Sequence, residues 1–269
     1  MGASAIEPSR GSAYGTIVVV GGGCYGSYYV RQLIRANEAG ALSWKRVLVI
    51  DGNAKCMVAT GGLLDASDPV SPRPLLVVSE WTEFFGRYLS AWATDPGSMP
   101  TDSIVPSPLM PHLLYEWVRD RARERWPARI VETRPLQSRP ATPWESSAPD
   151  GTHYVSFATW ICPINCIEPE LCPHTRSEST WTMPETMRDY VASPVGVGEA
   201  LEGPLVFHCT HRAYGVGMIP VSAVIDADQF VADAAAARSA NVLVATVSHC
   251  HGAMNVLSVT RPGIKPDHG

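Results

Sequence analysis

The chain has 269 residues, of which 45% are hydrophobic, and its formal net charge at pH 7 is −5. A chain of this length can bury the core of one large domain, and its basic residues form no stripe that would bind nucleic acid. The sequence contains no apolar run of about 18 residues, so we expect no membrane-spanning helix. Seven cysteines without a recognisable export signal favour a cytoplasmic protein with thiols or metal ligands over a disulfide framework.

The first half of the sequence alternates short β-branched runs with helical patterns, which is typical of β-α-β units. We predict a flexible N-terminus over residues 1–15, because these residues are small and polar. The predicted elements then follow in the order strand 16–20, helix 24–38, strand 46–50, strand 75–78, helix 80–92, helix 111–126 and strand 128–133. A Pro-rich loop is expected over residues 95–111.

The second half changes character, because its apolar runs are shorter and a Cys/Pro-rich stretch interrupts them. The predicted elements are a strand over 154–160, a strand over 205–207, a helix over 221–239 and a strand over 242–247. We expect the Cys/Pro-rich stretch to be an insertion at about residues 152–192 of a single α/β domain that spans residues 16–261. Residues 262–269 are predicted to form a frayed tail.

A glycine-rich turn follows the first predicted strand, where Gly21, Gly23 and Gly26 fit the pattern Gly-x-Gly-x-x-Gly. The first glycine permits a sharp turn, the second lets the backbone approach a pyrophosphate, and the third lets the helix pack closely on the strand. Cys24 would stand at the N-terminus of that helix, whose N–H groups favour phosphates. Asp51 ends the second predicted strand, where a carboxylate accepts hydrogen bonds from a ribose 2′-hydroxyl and repels a 2′-phosphate.

Residues 16–80, with this turn and Asp51, resemble the NAD(P)-binding Rossmann superfamily. The resemblance implies an α/β fold with a Rossmann-like, doubly wound and mainly parallel sheet. It also implies that the four turn residues and the carboxylate named above bind an adenine dinucleotide. The carboxylate favours NAD, or the adenosine of FAD, over NADP. The resemblance assigns no reaction.

Three cysteines, Cys162, Cys166 and Cys172, stand close together in the Cys/Pro-rich stretch. Thiolates bind soft or borderline metals, and clustering in one loop lets them converge on one centre. The Cys-Pro pattern locally resembles the cluster loops of ferredoxins, which implies an iron–sulfur cluster, although the spacing between the cysteines differs from the usual run. Zinc fits the same ligand chemistry, and buried thiols without a metal are the third alternative. The candidates for a fourth ligand are His174, Cys209 and Cys250.

Two late predicted strands end in the same way, in a His-Cys pair with a further histidine. The carboxyl ends of strands in an open parallel sheet line the ligand crevice. If both strands run parallel to the first, these histidines lie at the same edge as the glycine turn and can transfer protons or contact substrate. Histidines and cysteines that only pack in the core are the alternative. The catalytic candidates are His208, His211, His249 and His251.

Together these features predict a dinucleotide-binding metal or iron–sulfur protein that acts as an oxidoreductase or as one subunit of a redox complex. The alternative from another class is a non-catalytic redox or metal-responsive regulator with a nucleotide site and a structural zinc. The expected partners are an adenine dinucleotide and a redox partner subunit, with no nucleic acid and no membrane. A homo-oligomer is compatible with the sequence.

Overall fold

Two mixed six-stranded β-sheets and a two-stranded ribbon organise the chain. The computed structural model describes residues 12–64, 73–95, 101–158, 166, 168–172, 175–179 and 181–262. None of the helices in these ranges combines the length and the apolarity that crossing a membrane requires. The α/β class predicted from the sequence is confirmed, because helices and strands alternate along most of the chain.

The N-terminal elements follow the predicted alternation of strand and helix. They are β1 (Ser12–Val20), α1 (Cys24–Glu38), β2 (Leu42–Asp51), α2 (Met57–Thr60), β3 (Leu75–Val78), α3 (Trp81–Thr94), β4 (Ser103–Val105), α4 (Leu113–Arg125), β5 (Ile130–Arg134), β6 (Trp144–Ser147) and β7 (His153–Ser156). The helix predicted over 24–38 and the strand predicted over 75–78 have these same bounds. Ser12 already pairs with Leu42, so residues 12–15 belong to a strand and not to a flexible N-terminus.

The C-terminal elements begin with short pieces and end with long strands. They are β8 (Leu171–Cys172), β9 (Ser177–Glu178), α5 (Met183–Ala192), α6 (Pro194–Gly198), β10 (Leu201–His208), β11 (Thr210–Ala213), β12 (Val216–Pro220), α7 (Val221–Ala235), β13 (Ala240–Val247) and β14 (His251–Thr260). α5 begins where the Thr182 hydroxyl accepts a hydrogen bond from the backbone N–H of Glu185 at 3.2 Å.

The first sheet has the strand order β11-β12-β4-β1-β2-β3. Four of its strands, β4, β1, β2 and β3, are parallel, with Ile17 beside Val47 on one side and beside Ser103 on the other. Strand β12 runs antiparallel to β4, where Ile219 faces Ile104, and β11 is antiparallel to β12. The chain passes from β1 outward to β2 and β3 and then returns to the other side of β1. The strand order therefore reverses between β1 and β4.

The second sheet has the order β10-β13-β14-β7-β6, and β5 also pairs with β14. Only β10 and β13 are parallel, while the other pairs are antiparallel. The expectation of one mainly parallel sheet is therefore wrong for this half of the chain. The cause is β14, which returns beside β13 through a short turn and continues for ten residues. Likewise, β7 is a strand of this sheet and not part of an inserted loop.

Helices occupy both faces of each sheet. Alternate residues of β1 divide between two core clusters, since Val18 packs with α3, α4 and α7, whereas Val19 packs with α1. The cluster around α3, α4 and α7 also contains Val244 and Leu257 of the second sheet, so these helices lie between the two sheets. On the outer face of the second sheet, Met187 of α5 packs in a third cluster.

Candidate functional site

The glycine turn joins β1 to α1, and its three motif glycines differ in backbone conformation and in the space around them. Gly21 has φ +86°, a conformation that favours glycine, and its N–H donates to the carbonyl of Ile50 at 2.8 Å. A β-carbon on Gly26 would collide with the carbonyl oxygen of Gly21, so helix and turn touch there. A β-carbon on Gly23 would meet nothing within 4 Å. The turn is closed on the helix side and open on the outer side, as a phosphate-binding turn must be.

Among the described residues, no side chain caps the N-terminus of α1. Gly23 is the N-cap residue and has no side chain to cap the helix, and the first turn contains no acidic residue. Cys24 is the first helical residue and is exposed. The first-turn N–H groups and the helix dipole therefore remain available to an anionic group.

Asp51 lies at the end of β2 and forms a hydrogen bond with the backbone of the glycine turn. Its Oδ2 accepts a hydrogen bond from the backbone N–H of Gly22 at 2.7 Å, and its Oδ1 accepts from the N–H of Asn53 at 2.8 Å. Each carboxylate oxygen has a second lone pair that a ribose hydroxyl can use. Trp81 supports the same region, because its indole N–H donates to the carbonyl of Ile50 at 3.0 Å. The sequence analysis did not single out this tryptophan.

A cavity of about 400 Å³ opens where the strand order of the first sheet reverses. One wall comes from α1, with Tyr25 and Tyr29, and another from the segment after β4, with Pro106 and Pro108. These are the two sides of the β1–β4 boundary. In open α/β sheets, ligands bind in the crevice at the carboxyl ends of the strands at such a boundary.

Both predicted His-Cys ends contribute to the opposite wall of this cavity, through Cys209, His211, Cys250 and His251. Strands β10 and β13 lie parallel in the second sheet, and the N–H of Cys209 donates to the carbonyl of Val247 at 2.8 Å. The two ends are therefore neighbours. They face Tyr25 and Tyr29 of α1 across the cavity, and do not lie with the glycine turn along the edge of one sheet as expected from the sequence.

The remaining histidine candidates lie behind this wall. His208 and His249 are not among the described residues that line the cavity. The Nδ1 atom of His208 lies 3.4 Å from the Thr210 hydroxyl, and its buried Nε2 atom has no hydrogen-bond partner within the described part of the chain. The carbonyl of His249 accepts from the N–H of Met183 at 2.7 Å. Of the four predicted catalytic candidates, the structure therefore brings His211 and His251 to the cavity.

The predicted metal-binding cysteines do not share one location. Cys166 lines the cavity, whereas Cys172 is buried in β8 and is not among the described lining residues. Cys162 and His174 lie outside the described residues. Within the described ranges, no group of three or more His, Cys, Asp or Glu side chains is arranged to hold a metal ion.

Glu168 is the residue that links these parts, and sequence reasoning missed it. Its Oε1 accepts a hydrogen bond from the backbone N–H of His249 at 2.8 Å, and its Oε2 lies 3.6 Å from Nδ1 of His211. Its own N–H donates to the sulfur of Cys166 at 3.4 Å. Its backbone has φ +52°, which is uncommon for a glutamate. The signal in the sequence was a pair of glutamates, Glu168 and Glu170, between two cysteines, and nothing in the pattern distinguished the first from the second.

Burial shifts the pKa values of His251, Cys209 and Tyr29, which line the cavity, in the direction that favours their neutral forms. Burial lowers the pKa of His251, while Glu168 opposes that shift and His211 adds to it. Burial raises the pKa of Cys209 to about 12, and the negative charge of Glu168 contributes. Burial also raises the pKa of Tyr29. At neutral pH, this end of the cavity offers hydrogen-bonding groups and one carboxylate.

Comparisons with known proteins address the second half of the chain. Searches of curated proteins and of solved structures gave no match. Residues 114–260 match a family model described as "Uncharacterized protein, C-terminal domain". The matched segment contains both His-Cys turns and Glu168 but not the glycine turn. Because the match covers more than half of the sequence, the chain belongs to this family.

Proposed function

We propose that the chain binds an adenine dinucleotide, NAD or FAD, at the Gly21–Gly26 turn and carries out a redox reaction in the adjoining cavity. In this proposal the first sheet is a Rossmann-like, doubly wound unit, and the protein is an oxidoreductase or one subunit of a redox complex. The observation that carries the proposal is the position of the cavity, between the segment after β1 and the segment after β4. A cytoplasmic location, where thiols stay reduced, belongs to the same proposal.

The described residues fit the dinucleotide in three places. The open side of Gly23 lets a pyrophosphate approach the backbone, and the uncapped N-terminus of α1 offers N–H donors to it. The Asp51 carboxylate is placed to accept from a ribose hydroxyl, and its negative charge disfavours a 2′-phosphate.

The dinucleotide, when bound, supplies hydride or electron transfer. The chain's own residues orient the reacting molecule and exchange protons with it. Among the described residues, His211 and His251 are the imidazoles that line the cavity, and Glu168 lies 3.6 Å from Nδ1 of His211.

A thermal-shift series on the full chain tests dinucleotide binding. NADH or FAD should raise the melting temperature, because a ligand at one hundred times its Kd adds about 2.7 kcal/mol to the free energy of unfolding. Asp51→Asn should reduce the rise in melting temperature that NADH causes. It should also make the rise with NADH more similar to the rise with NADPH. Asp189→Asn, an exposed substitution on α5, serves as the matched control. If neither NADH nor FAD changes the melting temperature of the unaltered chain, the proposal fails.

Metal or iron–sulfur binding is a second candidate function, and it is supported by Cys166, Cys209 and Cys250, which all line one cavity, although the described side chains are not arranged as a ligand set. Metal analysis and an absorption spectrum of anaerobically purified protein test it. Absorbance near 400 nm indicates a cluster, and about one zinc in a colourless protein indicates a zinc site. Loss of metal in Cys209→Ser with retention in Cys172→Ser would assign the cavity cysteines as ligands. Metal-free protein would remove this candidate.

A further inference from the structure

We propose that the cavity takes an uncharged, largely apolar small molecule that carries one hydroxyl or carbonyl group, and that this group is held beside His211 and His251. The inference rests on the proposed function, because it names the substrate class of the same redox site. It concerns the part of the cavity that faces the second sheet, away from the glycine turn.

The walls of the cavity are mainly rings and aliphatic groups. These rings and aliphatic groups include Tyr25, Tyr29, Pro106, Pro108, Trp144 and Val247. Aromatic and proline rings offer broad contact area without many rotatable bonds, and they favour flat or compact apolar ligands. The cavity volume of about 400 Å³ is within the range of small-molecule sites.

The charges around the cavity disfavour an anion. Among the described lining residues there is no lysine and no arginine, and Glu168 is the one acidic residue. Arg212 follows His211 directly but is exposed and is not among the described lining residues. A carboxylate or phosphate bound here would lose its hydration without gaining a cationic partner, and Glu168 would repel it.

A cation is disfavoured for a different reason, since burial at this end of the cavity penalises a positive charge. One oxygen of Glu168 accepts from the N–H of His249, and the other lies 3.6 Å from His211 Nδ1. Burial nevertheless lowers the pKa of His251, which lines the same end, although the charge of Glu168 opposes that shift. The aromatic rings alone would give a cation modest compensation for its lost hydration.

The polar end is suited to one hydroxyl or carbonyl oxygen. Glu168 faces the Nδ1 side of His211, which leaves Nε2 of that ring for a ligand. Gly217 lines the cavity next to this nitrogen, and a β-carbon there would lie 3.6 Å from Nε2 and would collide with the Cys209 sulfur. His251 is held on its other side, where Nδ1 lies 3.4 Å from the Ser248 hydroxyl. A neutral imidazole can donate to a carbonyl or accept from a hydroxyl.

Calorimetric titration of the full chain with three probes of equal size tests the inference: benzyl alcohol, benzoate and benzylamine. We expect benzyl alcohol to bind at least about tenfold more tightly than benzoate or benzylamine at pH 7. Equal or tighter binding of either ion, or no binding of the alcohol at millimolar concentration, would overturn the inference. The titration is done without a dinucleotide, so a failure of dinucleotide binding does not affect it.

The variant Glu168→Gln sharpens the test, because it removes the charge and keeps an oxygen that can accept from His249. The preference for benzyl alcohol over benzoate should fall about tenfold in this variant. Glu170→Gln is the matched control, since Glu170 is exposed, lies two residues away and is not among the described lining residues. An unchanged preference in Glu168→Gln would show that this carboxylate does not set the charge selectivity. If the variant fails to fold, the comparison of the three probes on the unaltered chain still tests whether the cavity prefers an uncharged ligand.

Discussion

Glu168 accepts a hydrogen bond from the backbone N–H of His249 at 2.8 Å, although 81 positions separate the two residues in the sequence. The bond ties the Cys-rich segment to the turn between β13 and β14. Through its second oxygen, 3.6 Å from His211 Nδ1, the same carboxylate approaches strand β11. Three segments from different parts of the chain thus meet at one side chain.

Replacing Glu168 with alanine should destabilise the chain by about 1 kcal/mol, because the His249 N–H loses its acceptor. Urea denaturation followed by circular dichroism measures the change. Glu170→Ala, on an exposed neighbour, should stay within about 0.5 kcal/mol of the unaltered chain. Equal stability of the two variants would contradict a structural role of the Glu168 carboxylate.

Alanine at two positions of the glycine turn should have opposite consequences. Gly26→Ala should lower the free energy of unfolding by about 1–3 kcal/mol, because its β-carbon meets the backbone of Gly21. Gly23→Ala should fold normally, because its β-carbon meets nothing within 4 Å, and should weaken dinucleotide binding by filling the open side. Denaturation and thermal shift with NADH separate the two effects. A stable Gly26→Ala would disprove the close contact between helix and turn.

Cysteine reactivity should differ sharply between Cys24 and Cys209. Burial raises the pKa of Cys209 to about 12, so little of the reactive thiolate forms at pH 8. Cys24 is exposed at the first residue of α1. In brief treatment with iodoacetamide, peptide mass spectrometry should find Cys24 alkylated and Cys209 protected. Urea-denatured protein is the control, in which both react. Equal native rates would argue against the burial of Cys209.

Stability should fall on mild acidification. Burial lowers the pKa values of both His208 and His251 in the folded chain, whereas the unfolded chain keeps the ordinary histidine pKa of about 6.5. Just below that pH the unfolded state therefore binds more protons, and the free energy of unfolding decreases as the pH falls. Denaturation at intervals between about pH 7.5 and 5.5 measures this slope. The double substitution His208→Asn and His251→Asn should make the slope shallower, and an unaltered slope would count against this origin.

Three of the six strands of the first sheet, β1, β2 and β3, were predictable because their signals are local, whereas β4, β11 and β12 were not predicted. The run Thr16–Val20, the glycine turn and the helical pattern of 24–38 lie within one stretch of chain, and each is complete without a distant partner. Strand β4 was missed inside a Pro-rich loop, since three residues carry no periodicity. It follows that the position of the cavity, which depends on β4, was not readable from the sequence.

The second sheet depends on pairings that no local pattern reveals. Strand β14 is buried along most of its length and includes Asn255 and Ser258, so it lacks the alternation of a half-buried strand. It pairs with the preceding strand β13 and also with β7 and β5, which come from distant parts of the chain. The sequence analysis identified the histidines and cysteines by residue type. It could not identify Glu168, whose importance arises from contacts with residues far along the chain.

The pairing of β12 with β4 has a consequence for how the chain can be divided. Ile219 and Ile104 face each other across the two strands, so the segment that matches the family places one of its strands inside the first sheet. A fragment of residues 114–260 would release β12 with an unsatisfied hydrogen-bonding edge and uncover the apolar side chains of α7 that pack beside it. Such a fragment should aggregate on expression. We therefore expect the segment 114–260 and the part of the chain before it to be kept or lost together in evolution.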